Sequence, residues 1–322
     1  MELDDNVNLA KAFAPATSAN FAVGYDLLGF SLEGVGDTVE LRRRKDSRLV
    51  IKDISGVTGA EKLPFDIDNN VATAVIKKFL SDKNFEIGFD VYITKGITLG
   101  SGMGGSAASS VAALVAMNAF FKKPYSYDEL IDYAIYGESL ISGSFHGDNA
   151  VPCMFGGMIL LQSSKPCKKI DLPMVECDVV IICPALSIET KKAREILKEP
   201  YDLSTVVKHS SYLATTISAL YTKDIDLLGE SLKDVLIEPR RAELITGYYE
   251  VQAAAYDSGA FACGISGSGP TMFALVRKGG CPNKVADVMG NIFKKSGLES
   301  SVWITSMNSE GAYLLEKINK VE

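Results

Sequence analysis

The stretch from residue 85 to residue 121 leaves little freedom in how this chain can fold. From Phe85 to Ile93 the odd positions are Phe, Ile, Phe, Val and Ile, and the even ones Glu, Gly, Asp and Tyr. That period-two pattern predicts a strand with one buried face. Ser106 to Phe121 reads SAASSVAALVAMNAFF, small or apolar on every side, which predicts a helix buried against a sheet and too short to span a membrane. Between them runs Gly100-Ser101-Gly102-Met103-Gly104-Gly105-Ser106. Glycines there let backbone N–H groups converge where the helix dipole favours an anion, a seat for nucleotide phosphates. A tight strand-to-helix turn packed on the sheet is the plainer alternative.

Two familiar phosphate loops do not fit. Gly100, Gly102 and Gly105 satisfy the dinucleotide spacing, but that fold wants an acidic residue about 20 positions on at the end of a second strand. Asp128 and Glu129 instead open a helix. There is no GxxxxGK[ST], so the lysine of an ordinary Walker loop is absent and backbone and metal would have to neutralise the phosphates. The net charge of -7 offers no global field for nucleic acid or anionic membrane, so an anionic ligand must be held locally. Six cysteines without a CxxC pair and only two histidines give no zinc constellation and suit reduced thiols in a cytoplasm. The acidic start Met1-Glu2-Leu3-Asp4-Asp5 predicts no secretory signal, and no apolar run predicts a membrane helix.

A second helix is expected from Tyr127, with Leu130, Ala134 and Glu138 four apart and Ile131 and Ile135 beside them, which turns Glu138 inward. A buried carboxylate there needs an ion pair or a cation. Asp178 to Cys183 reads as a buried strand ended by Pro184, and Ser204 to Tyr221 and Asn283 to Phe293 read as helices. With 322 residues, one large domain or two are expected. The polar break Lys165 to Lys169, after the apolar run Gly156 to Leu161, suggests a boundary near residue 170, dividing the chain into 1–170 and 171–322.

Several separated motifs then resemble one family. They are Pro15-Ala-Thr-Ser-Ala-Asn20-Phe-Ala-Val-Gly24-Tyr-Asp26, the glycine loop through Ser109, and Gly143-Ser-Phe-His146-Gly-Asp148-Asn149-Ala-Val-Pro152. Thr190 to Arg194, Ile237 to Arg241 and Gly264 to Pro270 complete the series. In content and order the chain resembles homoserine kinases of the GHMP kinase superfamily over nearly its whole length. Two departures are visible: Thr98 stands where the family commonly has proline, and Gly105 where it commonly has serine.

The resemblance implies an α+β, two-domain GHMP kinase fold, with an N-terminal ATP-binding domain like the second domain of ribosomal protein S5 and a C-terminal ferredoxin-like domain. It implies phosphorylation of L-homoserine by ATP to O-phospho-L-homoserine, on the path to threonine, in the cytoplasm. The implied partners are ATP and L-homoserine, with neither nucleic acid nor membrane, and a homodimer is compatible with it. Another small-molecule GHMP kinase, or a nucleotide-responsive binding protein on the same fold, remains an alternative.

The implied nucleotide site is Leu99, Gly100, Ser101, Gly102, Met103, Gly104, Gly105, Ser106, Ala107, Ala108 and Ser109, with Ser106 and Glu138 as Mg2+ ligands. Asn20, Asp26, His146 and Asp148 are assigned to homoserine, Asp26 suiting its ammonium group, and Arg194 and Arg241 to its carboxylate. From the residues alone, Asn20 and Asp26 could be Asx turn residues, and the His146 to Asn149 cluster a helix cap. Asn149 occupies the position where related mevalonate and galactose kinases carry a catalytic aspartate. An amide cannot act as a base, so Asn149 would position the hydroxyl. Thr190 is implied near the transferring phosphate, while Lys191 and Lys192 read as a solvated face and Arg240 as a surface charge. Gly264 to Pro270 reads as a close-packed hairpin and a supporting wall of the substrate site.

Overall fold

A computed structural model, describing residues 2–307 and 310–320 with the Thr190 side chain outside the described set, lays the strands in two sheets. The first half runs β1 (Val7–Ala19), β2 (Leu28–Arg43), β3 (Leu49–Gly56), α1 (Val71–Asp82), β4 (Phe89–Lys95), α2 (Gly105–Asn118), α3 (Tyr127–Ser142), α4 (Ala150–Phe155), β5 (Met158–Ser164) and β6 (Cys167–Leu172). The second runs β7 (Cys177–Pro184), α5 (Thr190–Glu195), α6 (Leu203–Thr222), α7 (Ile225–Ser231), α8 (Glu238–Ala242), α9 (Tyr248–Asp257), β8 (Ala260–Ile265), β9 (Met272–Arg277), α10 (Pro282–Lys295), β10 (Ser300–Ser306) and β11 (Tyr313–Asn319).

Among the described residues the first sheet has seven strands in the order β11-β1-β2-β4-β3, with β5 and β6 branching from β2, and only β3 and β4 pair in parallel. The second has four antiparallel strands in the order β10-β7-β9-β8. With α9 and α10 on one face, this is the ferredoxin-like arrangement that the motifs implied. The sheet change falls in the link between Leu172 and Cys177, and β11 crosses back to the first sheet. The polar break at Lys165 to Lys169 lies inside the first sheet, at the β5–β6 hairpin.

One strand explains why two cores sit back to back. On β7, Val179 and Ile181 pack into the larger cluster with Phe273 and Leu275. Their neighbours Val180 and Ile182 pack into a second cluster with Val251, Val285, Met289 and Phe293 of α9 and α10. A strand covered on both faces loses the polar half of its alternation, which is why Asp178 to Cys183 reads as a nearly continuous apolar run.

Helix α2 is buried at every position from Ala107 to Asn118. Its alanines and serines let it lie close against β1 and β2. The strand expected from Phe85 starts four residues later. Its hydrogen-bonding partner β3 begins with Leu49 opposite Phe89, while Phe85 and Ile87 fill the core from the connecting segment, the Phe85 and Phe121 ring centroids lying 4.9 Å apart. Apolar alternation marks alternate burial, which a coil crossing a core can also produce.

Candidate active site

A cavity of about 490 Å³ opens where the two sheets meet, lined by the glycine loop, the end of α3, the turn before α4, and residues of α5, α8 and the β8–β9 hairpin. The glycine loop enters it with left-handed backbone at Gly102 (φ 82) and Gly104 (φ 67). A Cβ on Gly102 would come within 2.6 Å of Ser266 O, and one on Gly104 within 2.1 Å of Thr17 Oγ1. Both glycines are therefore required by close approach as well as by conformation. Leu99, Gly100, Ser101, Gly105, Ser106 and Ser109 also line the cavity. Met103, Ala107 and Ala108 do not line it; they are buried in the core beneath.

Glu138 turns inward from α3 with 4% of its surface exposed. Among the described residues its Oε1 has no hydrogen-bond partner. Burial is the main reason its pKa lies above the ordinary carboxylate value, with the Ser106 hydroxyl and His146 pulling the other way. His146 places Nε2 2.6 Å from Ser142 Oγ and Nδ1 3.3 Å from Asp148 Oδ1. The Ser142 hydroxyl has carbonyl acceptors at Glu138 and Ser144, which leaves its oxygen to accept from Nε2. Burial opposes protonation of His146, but Asp148 and Glu138 outweigh it and raise its pKa.

The segment after β1 carries consecutive positive φ angles at Asn20 (71°), Phe21 (40°) and Ala22 (54°). Such strain in residues other than glycine persists only when packing enforces it. Here Phe21 is fully buried, stacked on Phe273 at 5.9 Å and edge-on to Phe30 at 5.4 Å. Asn20 accepts from the Asp26 N–H at 3.1 Å and donates to Gly267 O at 2.7 Å, so it is both a turn residue and a tie to the far domain. Asp26 makes a two-pronged pair with Arg194, at 2.9 and 2.7 Å.

Arg241 is 3% exposed and donates to Gly267 O at 2.8 Å and Ala193 O at 3.3 Å. Among the described residues it has no ion-pair partner within bonding distance, and burial pushes its pKa below the ordinary arginine value. A buried cation facing a cavity in this way calls for an anion from the ligand. Asn149 caps α4 by position only. No side-chain bond closes the cap, and its Oδ1 instead accepts from Thr17 Oγ1 at 2.8 Å.

The family described as GHMP kinases N terminal domain matches residues 70–157, and that described as GHMP kinases C terminal matches residues 216–295. A homoserine kinase of Xylella fastidiosa (strain M12) is 42% identical over 308 residues, covering 95% of this chain and 94% of its own. The chain belongs to the homoserine kinase family. The kinase is 38% identical to a homoserine kinase of Chlorobaculum tepidum, over 94% of this chain and 97% of the relative. The crystal structure of homoserine kinase from Cytophaga hutchinsonii superposes with a TM-score of 0.90 at 36% identity, over 96% and 98% of the two chains. As a member of this family the chain is an ATP-dependent small-molecule kinase.

The kinase brings Asn20, Asp26, Glu138, His146, Asp148, Asn149, Arg194 and Arg241 to one cavity. The Thr190 side chain lies outside the described residues. Lys191, read as solvated, reaches the cavity wall. Arg240 is no loose surface charge: it donates to Glu199 O and Pro200 O and stacks 3.8 Å above the Tyr201 ring. Sequence reasoning passed over Thr17, although it lies within the first motif. It also missed Asn69 and Asn70 at the other end of the cavity, where the only local signal was Asn70 capping α1.

Helix α8, which carries Arg241, is held by Glu238. Its carboxylate accepts from Ile265 N at 3.2 Å and Gln252 Nε2 at 3.1 Å, and burial pushes its pKa up to about 7. Since the folded protein then holds a proton that the unfolded chain releases near 4.5, this group lowers stability as pH rises from about 4.5 to 7 and leaves it level above. The loss is at most about 3 kcal/mol. Denaturant melts at pH 5 and pH 8 are expected to show a smaller drop for Glu238→Gln than for wild type; equal drops would mean the carboxyl is not protonated in the fold.

Proposed function

We propose that this kinase transfers the γ-phosphoryl group of ATP to the side-chain hydroxyl of L-homoserine, giving ADP and O-phospho-L-homoserine, a step toward threonine. The observation that carries this reading is Arg241, a buried cation with no carboxylate of its own among the described residues, in the same cavity as the glycine loop. An amino-acid zwitterion completes the charges there. Its ammonium meets Asp26, and its carboxylate takes the forks of Arg194 and Arg241. Asp26 and Arg194 hold each other until that exchange.

Glu138, with a buried oxygen lacking a partner, and the facing Ser106 hydroxyl fit Mg2+, which takes a few protein oxygens beside phosphate oxygens and water. Bound there, Mg2+ would neutralise charge on the phosphoryl group in flight. The glycine loop seats the triphosphate at the start of α2. Asn149, fixed by Thr17, orients the acceptor hydroxyl. It has no ionisable group, so the hydroxyl proton leaves late in a loose transition state and passes to an oxygen of the transferred phosphoryl group as the bond to ADP breaks. Six free cysteines fit a reducing cytoplasm. Among the described residues no helix is long and apolar enough to cross a membrane.

ADP release measured with homoserine, serine, mevalonate and galactose tests the reading. The highest kcat/KM is expected with homoserine, and a higher value with mevalonate or galactose would replace it with another kinase of the superfamily. No turnover with any of them would favour a nucleotide-responsive binding protein. Asn149→Ala is expected to lower kcat by roughly one to three powers of ten through lost positioning, with the form of the pH profile unchanged. A shifted limb would expose a coupled base, with Asp148 the first suspect.

A further inference from the structure

The turn from β4 into the glycine loop is built over a buried ion pair that the reaction above does not use. Lys95 closes β4 and Asp37 lies in β2, with side chains 2% and 0% exposed. The Lys95 ammonium donates to Asp37 Oδ2, to Gly105 O at 2.7 Å and to Ser109 Oγ at 2.9 Å. Ser109 Oγ donates onward to Asp37 Oδ2 at 2.8 Å. The other Asp37 oxygen accepts from Gly96 N at 3.0 Å and Ile97 N at 3.2 Å. Three side chains therefore tie the end of β4, the entry to the loop and the first turn of α2 to one point.

Lys95 borders the cavity, which invites comparison with the phosphate lysine of a Walker loop. The geometry argues otherwise. An ammonium has three donors, all three are engaged, and Asp37 cancels the charge. A buried ion pair adds little net stability over apolar residues of similar size, because desolvation offsets the attraction. What this one supplies is direction: a fixed ammonium under the Gly105 carbonyl, one residue before Ser106.

We propose that Lys95, Asp37 and Ser109 form the positioning unit of the phosphate loop, holding the first turn of α2 in the conformation that receives the nucleotide triphosphate. The inference rests on the kinase reading but concerns nucleotide binding alone, so it is tested apart from the choice of acceptor. Titration of a non-hydrolysable ATP analogue with Mg2+ into Lys95→Met, and into the charge-cancelled pair Lys95→Met with Asp37→Asn, is expected to show roughly ten- to a hundredfold weaker binding. The KM for ATP is expected to rise in parallel, with the KM for homoserine within about twofold.

A merely structural role would move both constants together, and that result would overturn the proposal. So would a folded variant that binds the analogue as wild type does. If neither lysine variant folds, Ser109→Ala carries the test, because it leaves the ion pair in place. It is expected to weaken analogue binding about threefold, and unchanged binding there would overturn the proposal. Wild-type protein that binds the analogue but leaves homoserine unphosphorylated would remove the functional reading and leave the loop measurement standing.

Discussion

Glu138→Gln is expected to lower kcat by about two to three powers of ten at saturating Mg2+ and ATP while leaving the fold at least as stable as wild type. The amide keeps the size and reach of the side chain but removes the negative oxygen that a hard cation requires. Stability moves the other way because the carboxylate is buried with an oxygen that has no partner among the described residues, and its raised pKa records what the fold spends to keep it there. Removing the charge relieves that strain. Thermal melts without nucleotide, together with kcat across a Mg2+ series, separate the two effects. Near wild-type kcat would reject Glu138 as a metal ligand, and a large fall in Tm would recast it as a structural carboxylate.

Arg241→Lys is expected to reduce kcat/KM for homoserine by roughly a hundredfold, mostly through KM, with the KM for ATP within about threefold. The guanidinium divides its donors. One fork arm and Nε hold Gly267 O and Ala193 O, which leaves the remaining N–H groups to meet a substrate carboxylate. A lysine can replace the bond to Gly267 or meet the carboxylate, but it cannot do both with fixed direction. Some spillover to ATP is expected, because the hairpin that Arg241 holds also backs the nucleotide loop: Ser266 Oγ donates to Gly102 O and Thr271 N to Ser101 O, both at 3.1 Å. Equal rises in the two constants would show that Arg241 supports the hairpin and does not grip substrate.

Local chemistry was legible where it repeats at short range. The glycine loop, the buried helix after it and the inward turn of Glu138 all follow from spacings of two to four residues, and each stands where the pattern put it. The Phe85 strand began late because apolar alternation reports burial, and pairing with β3 decides where a strand starts. The boundary between the sheets was approached through composition alone, and the polar residues that suggested it sit in the β5–β6 hairpin.

Nothing in the spacing could have joined the groups that make the cavity specific. Thr17 meets Asn149 across 132 positions, Asp26 meets Arg194 across 168, and Lys95 meets Asp37 across 58. Motif resemblance placed Asp26, Asn149 and Arg194 in one site but gave no partners, and it was silent on Thr17, Lys95 and Asp37. The amino-acid sequence by itself determined the glycine turn and the buried helices, because backbone conformation and burial periodicity are set by near neighbours. The tertiary structure alone decided which charge is paired and which is left for a ligand. Asp26 and Arg194 satisfy each other while Arg241 is buried without a carboxylate among the described residues, and that difference arises only when strands and helices distant in the chain exclude water from a shared cavity.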